Sequence, residues 1–127
     1  MINNKFECYK LKKQIEKSGI IAECHRFGKN DFGEPDDTQE EIIGLVKGIY
    51  HEVNSYVQVN TGETTQYRNK KEPMILCLFD DVRSLDLVCG DIILLNNKRF
   101  TVSKVTNIFE WNIICDISIE EIVLQNE

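Results

Sequence analysis

The sequence predicts a mainly-β fold: a small antiparallel β-barrel with one N-terminal α-helix and a long protruding hairpin loop. Three observations carry this. Leu87 to Ile122 reads as three successive antiparallel strands, convincing helical periodicity occurs only in Ile2 to Ser18, and Asn60 to Pro73 is a polar excursion bracketed by two strand-like runs. With 127 residues the chain is expected to form a single domain, residues 1–19 as the helix and 20–127 as the barrel, because it is too short for two independent cores.

In the C-terminal meander, Gly90-Asp91 opens a first strand, Asp91 to Leu95, and Asn96-Asn97-Lys98 supplies the positive-φ residues of a hairpin turn. Phe100, Val102 and Val105 lie among polar residues in the second strand. The third, Trp111 to Ile117, puts Trp111, Ile113, Cys115 and Ile117 on one side, so that side is expected to be buried.

From the start of the chain, Cys8, Leu11, Ile15 and Ser18 recur at helical spacing. Lysines fill much of the remaining surface, and Gly19 is expected as a left-handed C-cap. So thin a stripe suits either the barrel or a neighbouring subunit. Ile20 to Phe27 alternates as a strand, and Gly28 to Asp37 collects turn residues as a loop, its carboxylates lacking the spacing of a calcium loop. Glu41 to Val59 is a strand with both faces apolar near its start, and Gly44 and Gly48 within it predict a bulge or bend. Ser55 to Val59 and Met74 to Phe79 bracket residues 60–73, an extended hairpin or a protruding loop. If extended, Arg68 and Lys70 share one face, and Tyr67, Asn69 and Lys71 the other. Asp80 to Val88 reads as a link, with Leu85 and Leu87 beneath the barrel and the charged residues facing water.

Function classes narrow quickly. The formal charge of −6 opposes a dedicated nucleic-acid binder, although a local basic patch is compatible with it. No apolar run reaches the ~20 residues that cross a bilayer, and the N-terminus lacks a hydrophobic signal core, so the expectation is a cytosolic origin and no membrane partner. Cys8, Cys24, Cys77, Cys89 and Cys115 read as reduced core residues. His25 and His51 with Cys24 lack metal-ligand spacing, and adjacent Cys24 and His25 should point to opposite sheet faces, so neither metal nor cofactor is expected. No phosphate loop, nucleophile elbow or nucleophile-base pair is present, and no catalytic residue is assigned.

The succession of an N-terminal helix, RFGKNDFGEP (Arg26 to Pro35), VKGIYHEVNSYV (Val46 to Val57), TTQYRNKKEPMILCLFDD (Thr64 to Asp81) and the GDIILLNNKRFTVSKV…WNIICDISIE ending (Gly90 to Glu120) resembles the head-to-tail connector proteins of long-tailed bacteriophages and prophages, the head-closure, stopper or head-tail joining proteins. The resemblance spans nearly the whole chain. Its most specific parts are the Lys-Lys-x-Pro-Met segment and the closing Gly-Asp…Trp pattern. It implies a homo-oligomeric ring in the virion neck, assembled in the host bacterial cytoplasm. The ring would sit between portal or adaptor proteins and tail-terminator or tail proteins, retain packaged DNA and offer the tail its attachment surface. It further implies that Thr61 to Glu72 projects into the channel, with Thr64, Thr65, Arg68, Lys70 and Lys71 facing double-stranded DNA transiently or facing a neighbouring subunit. Cys8, Leu11 and Ile15 are the corresponding assembly-interface candidates. A tail-terminator or tail-completion protein, an OB-like nucleic-acid-binding module and a small enzyme or ligand-binding barrel are the alternatives.

Overall fold

The computed structural model describes residues 4–62 and 64–122, and side chains at all of these except 37, 55–61 and 64–69. The chain runs α1 (Lys5–Ser18), β1 (Ile20–Lys29), β2 (Pro35–Thr61), β3 (Thr64–Leu78), α2 (Phe79–Leu85), β4 (Ile92–Leu95), β5 (Lys98–Asn107), a 3-10 turn (Ile108–Glu110) and β6 (Ile114–Glu121). All strand pairs are antiparallel, in the order β1-β2-β3-β6-β5-β4, and pairing of β4 with β1 closes the barrel. Closure leaves no edge within the barrel wall to pair with another chain.

Helix α1 starts later than the periodicity suggests because Asn4 caps it, its side chain accepting from Glu7 N at 2.9 Å. Gly19 is not the left-handed cap expected. Its backbone is extended (φ −67°, ψ 152°), and the chain passes straight into β1. Glycine is needed for close approach instead: a Cβ there would stand 2.5 Å from Ile15 O and 3.2 Å from Gly48 O. Cys8 and Ile15 are fully buried and Leu11 half-buried, packed with Leu76, Ile113 and Ile114 on the outside of the barrel. Of the two placements open to this stripe, the helix takes the barrel, so Cys8, Leu11 and Ile15 are spent on intrachain packing.

The barrel interior is filled by Cys24, Val46, Ile75, Cys77, Ile93, Phe100, Val102, Cys115, Ile117 and Ile119, with Val82 and Leu87 among them. Strand β2 begins inside the expected loop, at Pro35, and the turn before it is tied by Asn30, whose Oδ1 accepts from Phe32 N and Glu34 N at 2.9 and 3.0 Å. The anticipated bulge is present: Cys24 opposes Gly44 and His25 opposes Ile42, which leaves Ile43 as the extra residue. The link from Asp80 contains a short helix that its composition hid, α2, whose Val82 and Leu85 reach the core while Asp81 turns inward to accept from Lys47 N at 3.2 Å. Leu85 and Leu87 do lie against the core.

The meander's first turn is as expected, with Asn96 and Asn97 at φ 51° and 64°. Its third strand is not. Phe109, Glu110 and Asn112 all have positive φ, which reverses the chain and delays β6 to Ile114. The buried face is therefore Cys115, Ile117 and Ile119, while Trp111 and Ile113 pack outside the barrel beneath α1. Cys89 is exposed rather than buried; the other four cysteines are buried, and none of the five is in a disulfide.

Candidate functional site

The candidate site is built on the β2–β3 ladder and the hollow at its base. The two strands pair continuously from Gly48↔Cys77 to Thr61↔Thr64. Residues 64–73, the core of the expected loop, are thus a strand by backbone register. They lacked a strand signature because strand alternation is a signature of a buried face, and a segment paired only to one other strand has none to bury. β1 pairs with β2 as far as Gly48, and β6 pairs with β3 as far as Met74, so from Glu52↔Pro73 outward the two strands pair only with each other among the described residues.

Arg68 stands opposite Val57, Lys70 opposite Ser55 and Lys71 opposite Asn54. The side chains of Thr64, Thr65 and Arg68 lie outside the described residues. Lys70 and Lys71 are exposed, and Lys71 Nζ is 4.0 Å from Glu52 Oε2, a loose contact worth little in water. At the base, a hollow of about 700 Å³ opens between Glu52, Lys70 to Pro73, the β4–β5 turn and the end of β6. Its floor is Tyr50 and Phe100, with ring centroids 6.3 Å apart, and Tyr50 donates to Glu52 Oε1 at 3.1 Å. Burial, and then the Glu52 carboxylate, push the Tyr50 phenol up. Lys98 on the β4–β5 turn and Glu120 and Glu121 on β6 complete a rim of mixed charge. Sequence reasoning missed Tyr50 and Glu52, which the β2–β3 pairing brings beside Lys70 and Lys71, and Lys98, which closure of the barrel adds.

The hollow presents charges of both signs around an aromatic floor. The buried thiols are poor nucleophiles: burial raises Cys24 to about 12 and Cys115 to about 11, and Cys77 well above its ordinary value. Cys24 faces the core while His25 is held on the outside of the sheet by two carboxylates, its Nδ1 2.8 Å from Glu40 Oε2 and its Nε2 2.7 Å from Glu23 Oε1. His51 Nε2 is 2.9 Å from Asp116 Oδ1. Among the described residues no cluster of His, Cys, Asp and Glu is arranged to hold a metal, and no helix is long and apolar enough to cross a membrane.

The His25 cluster sets one arm of the pH profile. Glu40 also accepts from Arg99, and that guanidinium, followed by His25, holds its carboxyl below the ordinary 4.5 against the opposing effect of burial. The folded state therefore binds the Glu40 proton more weakly than the unfolded chain does. Stability from this group is complete above pH 4.5 and is lost as pH falls through the lowered folded value. Asp116, raised by burial despite His51, works in the opposite direction. Glu40→Gln is expected to flatten the acid-side loss measured by urea unfolding between pH 3 and 6; an unchanged acid slope would remove Glu40 from this role.

Compared with known proteins, the chain matches no family model and no curated sequence.

Proposed function

We propose that this chain is a structural subunit of a bacteriophage neck, forming a homo-oligomeric ring between the portal or adaptor and the tail that completes the head, retains packaged DNA and presents the tail with its attachment surface. The observation that carries the proposal is the β2–β3 ladder, which continues past the last contacts of β1 and β6 with Arg68, Lys70 and Lys71 along β3. At about 3.3 Å per residue, Glu52 to Thr61 is long enough to reach roughly 30 Å toward a ring axis. A single copy contributes few positive charges, but a ring multiplies them around the path of the DNA. Phosphate attraction from several short basic segments on an acidic body holds DNA through many weak, salt-sensitive contacts and so permits sliding. The resemblance noted above supplies the location and the partners, and the closed barrel supplies a stable body from which such a ladder can be presented.

Replacing Arg68, Lys70 and Lys71 together with Ser tests this reading. Lys70 and Lys71 are exposed, where a substitution rarely shifts stability by more than about 0.5 kcal/mol, so the variant should still fold. Filled heads should leak DNA or fail to join tails, and infectious yield should fall. Wild-type yields from the triple variant would sink the channel assignment. Electron microscopy of the native particle is the independent check: a ring of this barrel between portal and tail supports the proposal, whereas a ring on isolated tails alone assigns the chain to tail completion.

A further inference from the structure

The turn that delays β6 is costly and faces water. Phe109 (φ 51°, ψ 19°) and Glu110 (φ 56°) occupy the left-handed region that bulky side chains avoid, and Asn107 and Asn112 lock them there through hydrogen bonds of 2.7 and 3.2 Å. A reversal alone would be served by glycine or asparagine. Here the strained residue is an aromatic, stacked 4.7 Å from Trp111 yet 60% exposed. Lys5 lies over Trp111 at 6.0 Å and joins this turn to the outer face of α1, where Phe6 and Tyr9 are also exposed and Lys10 sits 4.8 Å from the Phe6 ring. Helix α1 carries five lysines against two glutamates, a net positive element on a chain of charge −6. The result is a set of exposed aromatics on α1 and the adjoining turn, interspersed with helix lysines, which fits a partner presenting an exposed apolar side chain among carboxylates.

This chain carries such a partner surface. In the β1–β2 turn Phe32 is 87% exposed, held outward by the Asn30 turn, and residues 28–38 hold one lysine against four carboxylates. The ten residues of β1 separate that turn from Gly19 by roughly 30 Å of strand. We propose that the exposed aromatics of α1 and the 3-10 turn bind the β1–β2 turn of a second copy, seating Phe32 against Phe6, Tyr9 and Phe109 with Asp31 and Glu34 facing the helix lysines. Because the two patches differ, the contact is heterologous and each copy keeps one free patch of each kind, so association propagates until it closes as a ring. It deepens the neck reading by naming the subunit contact and rests on that reading for its closure.

Charge exchange tests it. Lys10→Glu/Lys13→Glu and Asp31→Lys/Glu34→Lys alter exposed residues and should fold normally by circular dichroism. Sedimentation should show the wild type self-associating, each variant alone monomeric, and an equal mixture associating again, since each altered patch then meets its complement. Phe32→Ser should weaken association at least about tenfold. Phe109→Gly should raise the unfolding midpoint by relieving strain while weakening association, opposite signs that a purely structural turn would not give. A wild type that stays monomeric to about 1 mM, a variant that associates alone, or a mixture that does not recover overturns the contact. A ring at the neck without rescue in the mixture removes this contact alone. Rescue with no copy in the particle removes the neck reading and leaves the contact standing.

Discussion

Asp91→Ala is expected to destabilise the protein by about 3 kcal/mol, because removing one partner of a buried charged pair leaves desolvated groups without compensation. Asp91 is 2% exposed. Its Oδ1 accepts from Arg26 Nε at 2.9 Å, and its Oδ2 accepts from Arg26 Nη2 at 2.8 Å and from Val88 N at 3.0 Å. The same guanidinium donates to Leu85 O and Asp86 O, so one carboxylate fastens β1 to the end of α2 and to the entry of β4. The Asp91 hydrogen bond is also the main reason the Arg26 guanidinium is pushed up from its ordinary value. Arg26 keeps 39% of its side-chain surface in water, which places the expected cost at the lower end for such pairs. Asp91→Asn, which keeps an acceptor but loses the charge, should recover part of the loss. Urea unfolding with an unchanged m-value reads both variants. A cost below about 1 kcal/mol for Asp91→Ala would mean that the link from α2 to β4 is held by its apolar contacts alone.

That pair marks the limit of what could be read from the residues. Gly90-Asp91 announces a strand, but nothing local indicates that Asp91 will be buried, since its partner is Arg26, sixty-five positions earlier. Local signals translated well where one physical requirement dominated. Asn96-Asn97 meets the positive φ of a tight hairpin, and Gly44 sits at the bulge where β2 bends around the core, a Cβ there colliding with Leu85. Signals failed where two requirements overlapped. The Trp111 to Ile117 alternation is real in sequence, yet the positive-φ turn divides it between two clusters, one inside the barrel and one beneath α1. Helix α2 has only seven residues, too few for periodicity to declare itself, and is recognisable afterwards by Asp80 and Asp81 in its first turn. The candidate site divides in the same way. Lys70 and Lys71 were legible as an unusual basic run, whereas Tyr50 and Glu52 join them only through the pairing of β2 with β3, and Lys98 only through closure of the sheet.

Gly48→Ala carries the second large effect, again about 3 kcal/mol, at the upper end of what overpacking costs. A Cβ at this position would stand 2.7 Å from Ile75 Cγ2, 2.9 Å from Cys77 Sγ and 2.9 Å from Leu76 O. Ile75 and Cys77 are among the most buried residues of the barrel, and Leu76 O belongs to the paired backbone, so none of the three has room to yield. Ile75→Ala removes one of the colliding atoms. It should therefore cost less in the Gly48→Ala background than in the wild type, and a double-mutant cycle should give a coupling of at least about 1 kcal/mol. Additive effects would mean that β3 moves away as a unit instead. Gly48 also sits where β2 ends its pairing with β1, opposite Ile20, and goes on with β3 alone toward Thr61. Any backbone shift that accommodates the methyl group is applied at the root of the ladder and grows with distance along it. If the ladder's aim matters for the proposed ring, Gly48→Ala should lower particle yield more than a core variant of equal destabilisation such as Ile93→Ala, on β4, which pairs with β1 and β5 and so leaves that root untouched.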